Sequence, residues 1–265
     1  MSSNVLDAYR VPVGDDPLAP PAHKFIIRPL QFSDIGTLAI LTANAWDGTP
    51  INQFLVPRAG LYRDDSIRTF RQGIWGRAVD KRCLSLVACS TSNPLTPIAY
   101  AHFNRIGDDD GARQFVQSIG IRRRLLLLFL SWITWAYFSA ENWLWPDRSC
   151  DKDAGKLFME SIALDKKRYW ESHPERGSRW HAQNIIVSPQ WQRQGVGKLL
   201  LSEGISRAQE QHVIMGLSAS PAGEKLYRKM GFQMLGDFTY HLGGEEGGGI
   251  MIWYPEGMQE TVASE

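Results

Sequence analysis

Ile185 to Gly197 reads Ile-Ile-Val-Ser-Pro-Gln-Trp-Gln-Arg-Gln-Gly-Val-Gly, and no other stretch restricts the fold so tightly. Ile185, Ile186 and Val187 have the β-branched character of a buried strand end. Pro189 stops that strand because it has no N–H to give to a ladder. Gln192 to Gly197 then make a polar, glycine-bearing turn. A helix begins at Lys198, with Leu199, Leu200, Ile205 and Ala208 as its inward positions. Strand, turn and helix N-terminus together make an anion site: free N–H groups point out of the first helical turn, and the helix dipole adds partial positive charge. Glycines at 195 and 197 let the backbone approach a phosphate closely. The chemistry implied is a pyrophosphate cradle.

Two other nucleotide motifs do not fit. A Walker loop needs Ser or Thr after Gly-Lys, and Gly197-Lys198 is followed by Leu199; a dinucleotide fingerprint needs a third glycine where Leu200 stands. What fits is Gln/Arg-x-x-Gly-x-Gly/Ala, here Gln192-Arg193-Gln194-Gly195-Val196-Gly197. This resembles the pyrophosphate loop of the GNAT-type N-acetyltransferases. Val187-x-Pro189 matches that family's strand ending. Leu217 to Phe232, which carries Tyr227 and ends in Gly231-Phe232, is similar to its second block. The likeness is clear from Trp180 to Phe238 and weaker in the first hundred residues.

The resemblance implies acetyl-CoA as acyl-donor substrate and direct transfer of the acetyl group to an amine. Val187 and Ser188 would hold the acyl arm. Gln192, Arg193, Gln194, Gly195, Val196, Gly197 and Lys198 would hold the pyrophosphate, with Arg193 adding a cation. Tyr227 matches the family tyrosine placed near the thioester sulfur, where a neutral phenol can donate a proton. Ser220 stands where the family often has an asparagine contacting the pantetheine arm, and Gly223 where alanine is usual. Each has a plainer reading: Arg193 as a solvated surface residue, Tyr227 as a packed ring, Ser220 as a helix cap. No Asp or Glu lies between Trp180 and Lys198, so the central strand offers no carboxylate base. His181 and His102 are the histidine candidates, His181 being preferred. No metal-ligand spacing is present among the six histidines and three cysteines.

Composition places limits around this reading. The 265 residues, 43% hydrophobic and 22% charged, are those of a folded globular chain. A net charge of +1 supplies no reason to expect nucleic acid. Cys83, Cys89 and Cys150 suggest no disulfide framework, and the first residues lack the basic-then-apolar pattern of a secretory signal, so the expected location is cytoplasmic. Oligomeric state is not legible.

The expected architecture is α/β (α+β): one mixed, mostly antiparallel central sheet flanked by helices. Residues 1–24 read as an extended or partly disordered lead-in and 25–258 as the acetyltransferase domain, with a helical insertion at about 107–150. Phe25–Leu30 is a first strand. Ser33 or Asp34 caps a helix striped by Ile35, Leu38, Ala39, Leu41 and Thr42, and Asp64 to Val79 is a second helix. Cys83–Cys89 and Ile98–Arg105 pair as a hairpin with a long loop. Asp151 to Gly177 is mixed and helical, with Leu157, Phe158, Ile162, Ala163 and Tyr169 as a stripe. Phe238–Leu242 and Ile250–Tyr254 are terminal strands joined by a flexible glycine loop.

The insertion carries Arg122-Arg-Arg-Leu-Leu-Leu-Leu-Phe-Leu-Ser-Trp-Ile-Thr-Trp-Ala-Tyr-Phe138. As a helix, Leu125–Phe138 is ~21 Å long, short of the roughly 30 Å hydrocarbon core. The favoured reading is a buried lid over the sheet that roofs the acceptor pocket. That in turn favours a small-molecule amine over a protein as partner. Membrane contact through Leu125–Phe138 is the lesser reading. Two rivals to an enzyme remain: a non-catalytic acyl-CoA-binding module and a membrane-associated scaffold.

Overall fold

The computed structural model describes residues 24–244 and 246–258, so the lead-in to residue 23 lies outside the described residues. Seven strands form one sheet in the order β1-β2-β3-β4-β5-β7-β6. They are β1 Phe25–Pro29, β2 Cys83–Ser90, β3 Asn93–Ile106, β4 Arg179–Val187, β5 Ile214–Ala219, β6 Gln233–Gly236 and β7 Gly249–Trp253. Only β4 and β5 run parallel; every other pair is antiparallel. The sheet is therefore mixed and mostly antiparallel, as the sequence implies.

Eight α-helices accompany it among the described residues: α1 Ile35–Trp46, α2 Pro50–Leu55, α3 Arg63–Ala78, α4 Asp110–Ser118, α5 Ile121–Leu144, α6 Lys152–Lys166, α7 Val196–Glu210 and α8 Pro221–Lys229. Strand alternation splits the core in two. On one face Leu86, Ala101, Phe103, Trp180 and Met215 pack against Val196, Leu200 and Leu201 of α7. On the other, Val87, Cys89 and Tyr100 meet Ile35, Leu38 and Ala39 of α1 and Ile74 of α3. Gly204 lets α7 sit close to the sheet, because a Cβ there would lie 2.5 Å from the Phe103 ring.

Several expectations need correcting. The turn of the β2–β3 hairpin is only Thr91-Ser92, because β3 starts at Asn93 and absorbs Pro94 and Pro97 through irregular register at Cys89 and Ser90. Asp34 does not cap α1 with its side chain; its carboxylate accepts from Gln31 N–H at 2.8 Å and pairs with Arg28 at 2.7 Å. Helix α2, capped by Thr49 with Pro50 at its first position, is too short for periodicity to reveal. Phe238–Leu242 is not a strand: the chain there turns away, with Thr239 bonded to Asp165, and β6 lies earlier. The face α6 buries is Ala154, Ser161 and Asp165, whereas Leu157 and Ile162 are exposed. Gly243 and Gly248 of the glycine loop are closely packed: a Cβ on Gly243 would lie 2.6 Å from Pro50 O, and one on Gly248 2.4 Å from Ala219 O.

The largest correction concerns α5. It runs 24 residues, about 36 Å, and none of its residues is buried. Its half-buried positions are 124, 127, 130, 131, 134, 138 and 141, a stripe of near-heptad spacing that includes Arg124, Ser131, Thr134 and Glu141. This partly polar stripe faces α3, where Arg71 and Gln72 hold the Glu141 carboxylate at 2.6 and 2.7 Å. Most of the strongly apolar positions point outward, Leu127, Leu130 and Phe138 being on the stripe. The expectation of a buried lid fails because the inward stripe is mixed, with only Leu127, Leu130 and Phe138 as its apolar members, and most apolar residues lie outside it.

Candidate active site

The site starts where two parallel strands part. Strand β4 pairs with β5 only over Arg179–Ala182 against Ile214–Leu217. Beyond that, Asn184–Val187 keeps β3 as its partner, while Ser218 and Ala219 pair only with β7. Gln183 marks the break: the β3–β4 register skips it, so it forms a bulge that turns β4 away from β5. The result is a cleft with unpaired strand edges on both sides, opening toward the loop that follows β4.

That loop has the geometry an anion needs. A 3-10 turn, Pro189–Trp191, follows the strand, and Gly195 at φ +88° sets the N-terminus of α7. A side chain at this φ is strained, so Gly195 is a conformational requirement. Nothing lies within 4 Å of where its Cβ would sit, so the loop is open on that side. Gly197 serves differently: a Cβ there would lie 3.4 Å from Leu226 Cδ2 and 3.6 Å from Val187 Cγ2, ordinary contact distances. Alanine would fit at 197 and not at 195 without strain.

The amides of Gln194, Gly195, Val196, Gly197 and Lys198 have no protein acceptor among the described residues. Leu199 N–H is the first to bond back, to Gly195 O at 3.0 Å. Lys198 and Arg193 form no ion pair among the described residues, and Arg193 is itself at positive φ, +60°. Gln192 donates to Val187 O at 3.2 Å and Gln194 to Gln190 O at 3.1 Å, so both brace the turn. Lys24, which no sequence signal singled out, donates to Gln194 Oε1 at 2.8 Å and brings a further cation to the rim. Ser188 is less available than expected. Its N–H is bonded to Ile98 O at 2.9 Å and its carbonyl accepts from Trp191 N–H at 2.8 Å, leaving the hydroxyl.

Helix α8 forms the other wall. Ser220 caps it, accepting from Gly223 N–H at 3.3 Å, so the capping role is present. Tyr227 lies about two turns further along, its ring edge-on to Phe232 at 5.9 Å. Gly223 is small for a reason: a Cβ there would lie 2.9 Å from the Tyr227 ring, which folds back over it toward Ser220. The phenol makes no hydrogen bond among the described residues. Burial pushes its pKa up to about 12, so it is a neutral donor.

His181 and His102 sit on the opposite face of the sheet from α7. His181 is paired with Asn104 across β3–β4 and meets the Trp170 ring edge-on at 5.6 Å. His102 is fully buried, its Nδ1 2.8 Å from Ser85 Oγ. Burial, with Arg179 beside His181 and Arg77 beside His102, drops each imidazole to about 3. Both are uncharged at neutral pH and are weak bases. Four buried atoms on this face have no partner among the described residues: His102 Nε2, Asn104 Oδ1, Arg179 Nε and His181 Nδ1. Asn104 was not singled out by the sequence because an isolated Asn in a strand carries no signal.

A segment spanning this construction, residues 159–234, matches the model of the acetyltransferase (GNAT) domain. That segment is similar to the GNAT acetyltransferase domain. No curated protein matches the sequence. Among solved structures, a histone acetyltransferase HPA2 and related acetyltransferase from Corynebacterium glutamicum shares the fold. It is 17% identical, with 88% of this chain and 96% of that chain covered at a TM-score of 0.54. More distant are a PaiA N-acetyltransferase from Thermoplasma acidophilum in complex with coenzyme A and a mosquito arylalkylamine N-acetyltransferase-like protein. The first is 14% identical, covering 87% and 98% at a TM-score of 0.45; the second is 13% identical, covering 80% and 84% at 0.42. The seven-stranded sheet with its parting β4 and β5 is thus a GNAT-like fold. Among the described residues no group of His, Cys, Asp and Glu is arranged to hold a metal ion.

Proposed function

We propose that this protein is an acetyl-CoA-dependent N-acetyltransferase that transfers the acetyl group directly to an amine. The observation that carries the reading is the uncapped N-terminus of α7. Five consecutive amides without protein acceptors, turned outward by Gly195 at φ +88°, lie at the mouth of the β4–β5 cleft. Backbone N–H groups, a helix dipole and the free cations Arg193 and Lys198 match a pyrophosphate in charge and in hydrogen-bond direction. The cleft itself offers unpaired strand edges to an amide-bearing arm.

In the proposed reaction the amine nitrogen attacks the thioester carbonyl carbon. A C–N bond forms, the C–S bond breaks, the departing sulfur takes the phenolic proton of Tyr227, and solvent returns a proton to the phenolate. Tyr227 suits this role because its raised pKa keeps it a neutral donor at physiological pH, able to hydrogen-bond the sulfur and share its proton as the C–S bond breaks. With a pKa near 3, His181 cannot hold the proton of an ammonium; it can accept a hydrogen bond from the incoming amine. The amine therefore reacts as the neutral form and its proton leaves through solvent. Catalysis should rise with pH toward the acceptor's own pKa, with no step near 6.5. A pH–rate profile that levels off around 6.5 would instead restore a histidine base.

Two consequences follow for the partner. The lid that favoured a small acceptor is absent, since α5 packs on α3 with its apolar side outward, so the acceptor class here is an amine. The weak histidine bases also favour one specific rival, a binding module without turnover. Tyr227→Phe separates the two: an enzyme loses turnover with acetyl-CoA affinity kept, while a binding module shows no acetylated product with either protein across an amine panel.

A further inference from the structure

Helix α5 exposes far more apolar side chain than a helix that only packs on its own protein would. Its side toward α3 mixes Leu127, Leu130 and Phe138 with Arg124, Ser131, Thr134 and Glu141, while Phe129, Trp132, Trp135 and Trp143 stand outward at 62, 70, 67 and 82% exposure. Grooves of ≈ 380 and ≈ 390 Å³ run between α5 and α3, so even the inner side is loosely seated. An apolar surface of this extent on a folded chain marks a contact site. No helix of the described residues is long and apolar enough to cross a membrane.

The charges say which contact. Arg122, Arg123 and Arg124 stand in the first turn of α5, where the helix dipole is already positive, with no ion pair among the described residues. Gly120, the N-cap, supplies no side-chain acceptor, and the first turn has no acidic residue. The sole carboxylate on the helix, Glu141, faces inward and is held by Arg71. One end of an apolar helix is therefore a dense, uncompensated cationic site, and the exposed side carries no anion. The apolar arc is also broad. A single partner helix covers the a and d positions of a seam, about two in seven; residues 125, 126, 128, 129, 132, 133 and 135 occupy most of the outer circumference. A surface that is apolar in depth and anionic at its edge covers all of it.

We propose that α5 is an interfacial anchor that lies flat on an anionic lipid bilayer. Its aromatic side enters the boundary between headgroups and acyl chains, and Arg122 and Arg123 pair with acidic headgroups. Tryptophans suit that depth, since the ring is apolar and the indole N–H finds a wet partner. Helices that bind in this manner combine a basic flank with an aromatic and aliphatic face. The inference is independent of acetyl transfer.

The test is vesicle flotation of the purified full chain with phosphatidylcholine alone and with phosphatidylserine added, at low and high salt, alongside light scattering for oligomeric state. The expected result is a monomer that floats with the phosphatidylserine vesicles and is released by salt. Each arginine near the surface contributes about fivefold, so Arg122→Ala with Arg123→Ala should weaken binding roughly twenty-five-fold. Trp132→Ser, and separately Leu125→Ser, should also weaken binding while leaving the thermal midpoint unchanged, because both side chains are exposed. Absence of flotation at low salt, or equal binding by these variants, would overturn the proposal. So would a stable dimer that Trp132→Ser converts to monomer, which would assign the surface to a second copy.

Discussion

Helices α7 and α5 have similar shares of leucine and isoleucine and opposite fates. α7 buries Leu200, Leu201 and Ala208 against the sheet and turns its N-terminal amides to an open cleft. α5 buries nothing and turns Trp132, Trp135 and Trp143 to the surroundings. The difference lies in what stands opposite. α7 has a sheet face with Phe103, Trp180 and Met215, and a glycine at 204 that allows close approach. α5 has only α3, whose facing side presents Arg71 and Gln72 and binds a carboxylate. Apolar content sets how much a helix wants to be covered; its neighbours set whether the protein itself does the covering.

The largest effect that would break this contrast is at Tyr227. Tyr227→Phe should lower turnover by roughly 10²–10⁴-fold, the usual worth of a general acid, with acetyl-CoA affinity unchanged in a binding titration. Loss of affinity with turnover intact would make the ring a packing element. Next is Gly204. Any side chain there meets Phe103 at 2.5 Å and Met215 at 2.8 Å, so Gly204→Val should destabilise by about 1–3 kcal/mol in denaturant melts. The matching change on α5, Phe129→Ser, should stay within about 0.5 kcal/mol, as surface substitutions do. Equal losses at the two positions would mean α5 is covered within the chain after all.

Gly195→Val forces a β-branched side chain to φ +88°, a strain of roughly 1–2 kcal/mol. Acetyl-CoA affinity should fall about tenfold or more, whereas Gly197→Ala, with a Cβ at ordinary contact distance, should be nearly silent. A separate prediction concerns pH. His102 and His181 are held near 3 in the folded chain, far below the unfolded value of about 6.5. The unfolded state therefore binds more protons below pH 6.5, and stability is complete above that pH and is lost as pH falls toward 3. Each histidine contributes a slope on the order of 1.4 kcal/mol per pH unit. His102→Gln should flatten the thermal midpoint's pH dependence between 6.5 and 4. An unchanged slope would mean His102 is not held neutral.

Much of α7's surroundings was legible because local chemistry dictates it. Ile185–Val187, Pro189 and the Gly195-Val196-Gly197 turn each restrict the backbone on their own, and Pro221 and Gly231 bracket α8 in the same manner. The mostly antiparallel sheet followed from strands whose alternation is strong. What stayed hidden depended on neighbours distant in sequence. The Gln183 bulge, which opens the cleft, has no signature in a run of Ala, Gln and Asn. Asn104 matters only because β3 places it against His181. The stripe of α6 and the orientation of α5 misled for one reason: apolar residues on a helix show where a contact is wanted, and both helices leave that side outside.

The most direct test is calorimetric titration of the purified chain with acetyl-CoA, with desulfo-CoA and ATP as controls, in the wild type and in Gly195→Val. The account predicts saturable one-site binding of acetyl-CoA and desulfo-CoA, weak or no binding of ATP, and a loss of affinity in the variant. With acetyl-CoA at a hundred times its dissociation constant the protein should also gain about 2.7 kcal/mol in stability, visible as a thermal shift. Absence of binding, or equal affinity in Gly195→Val, would contradict it and leave the sheet and its cleft as a fold without that ligand.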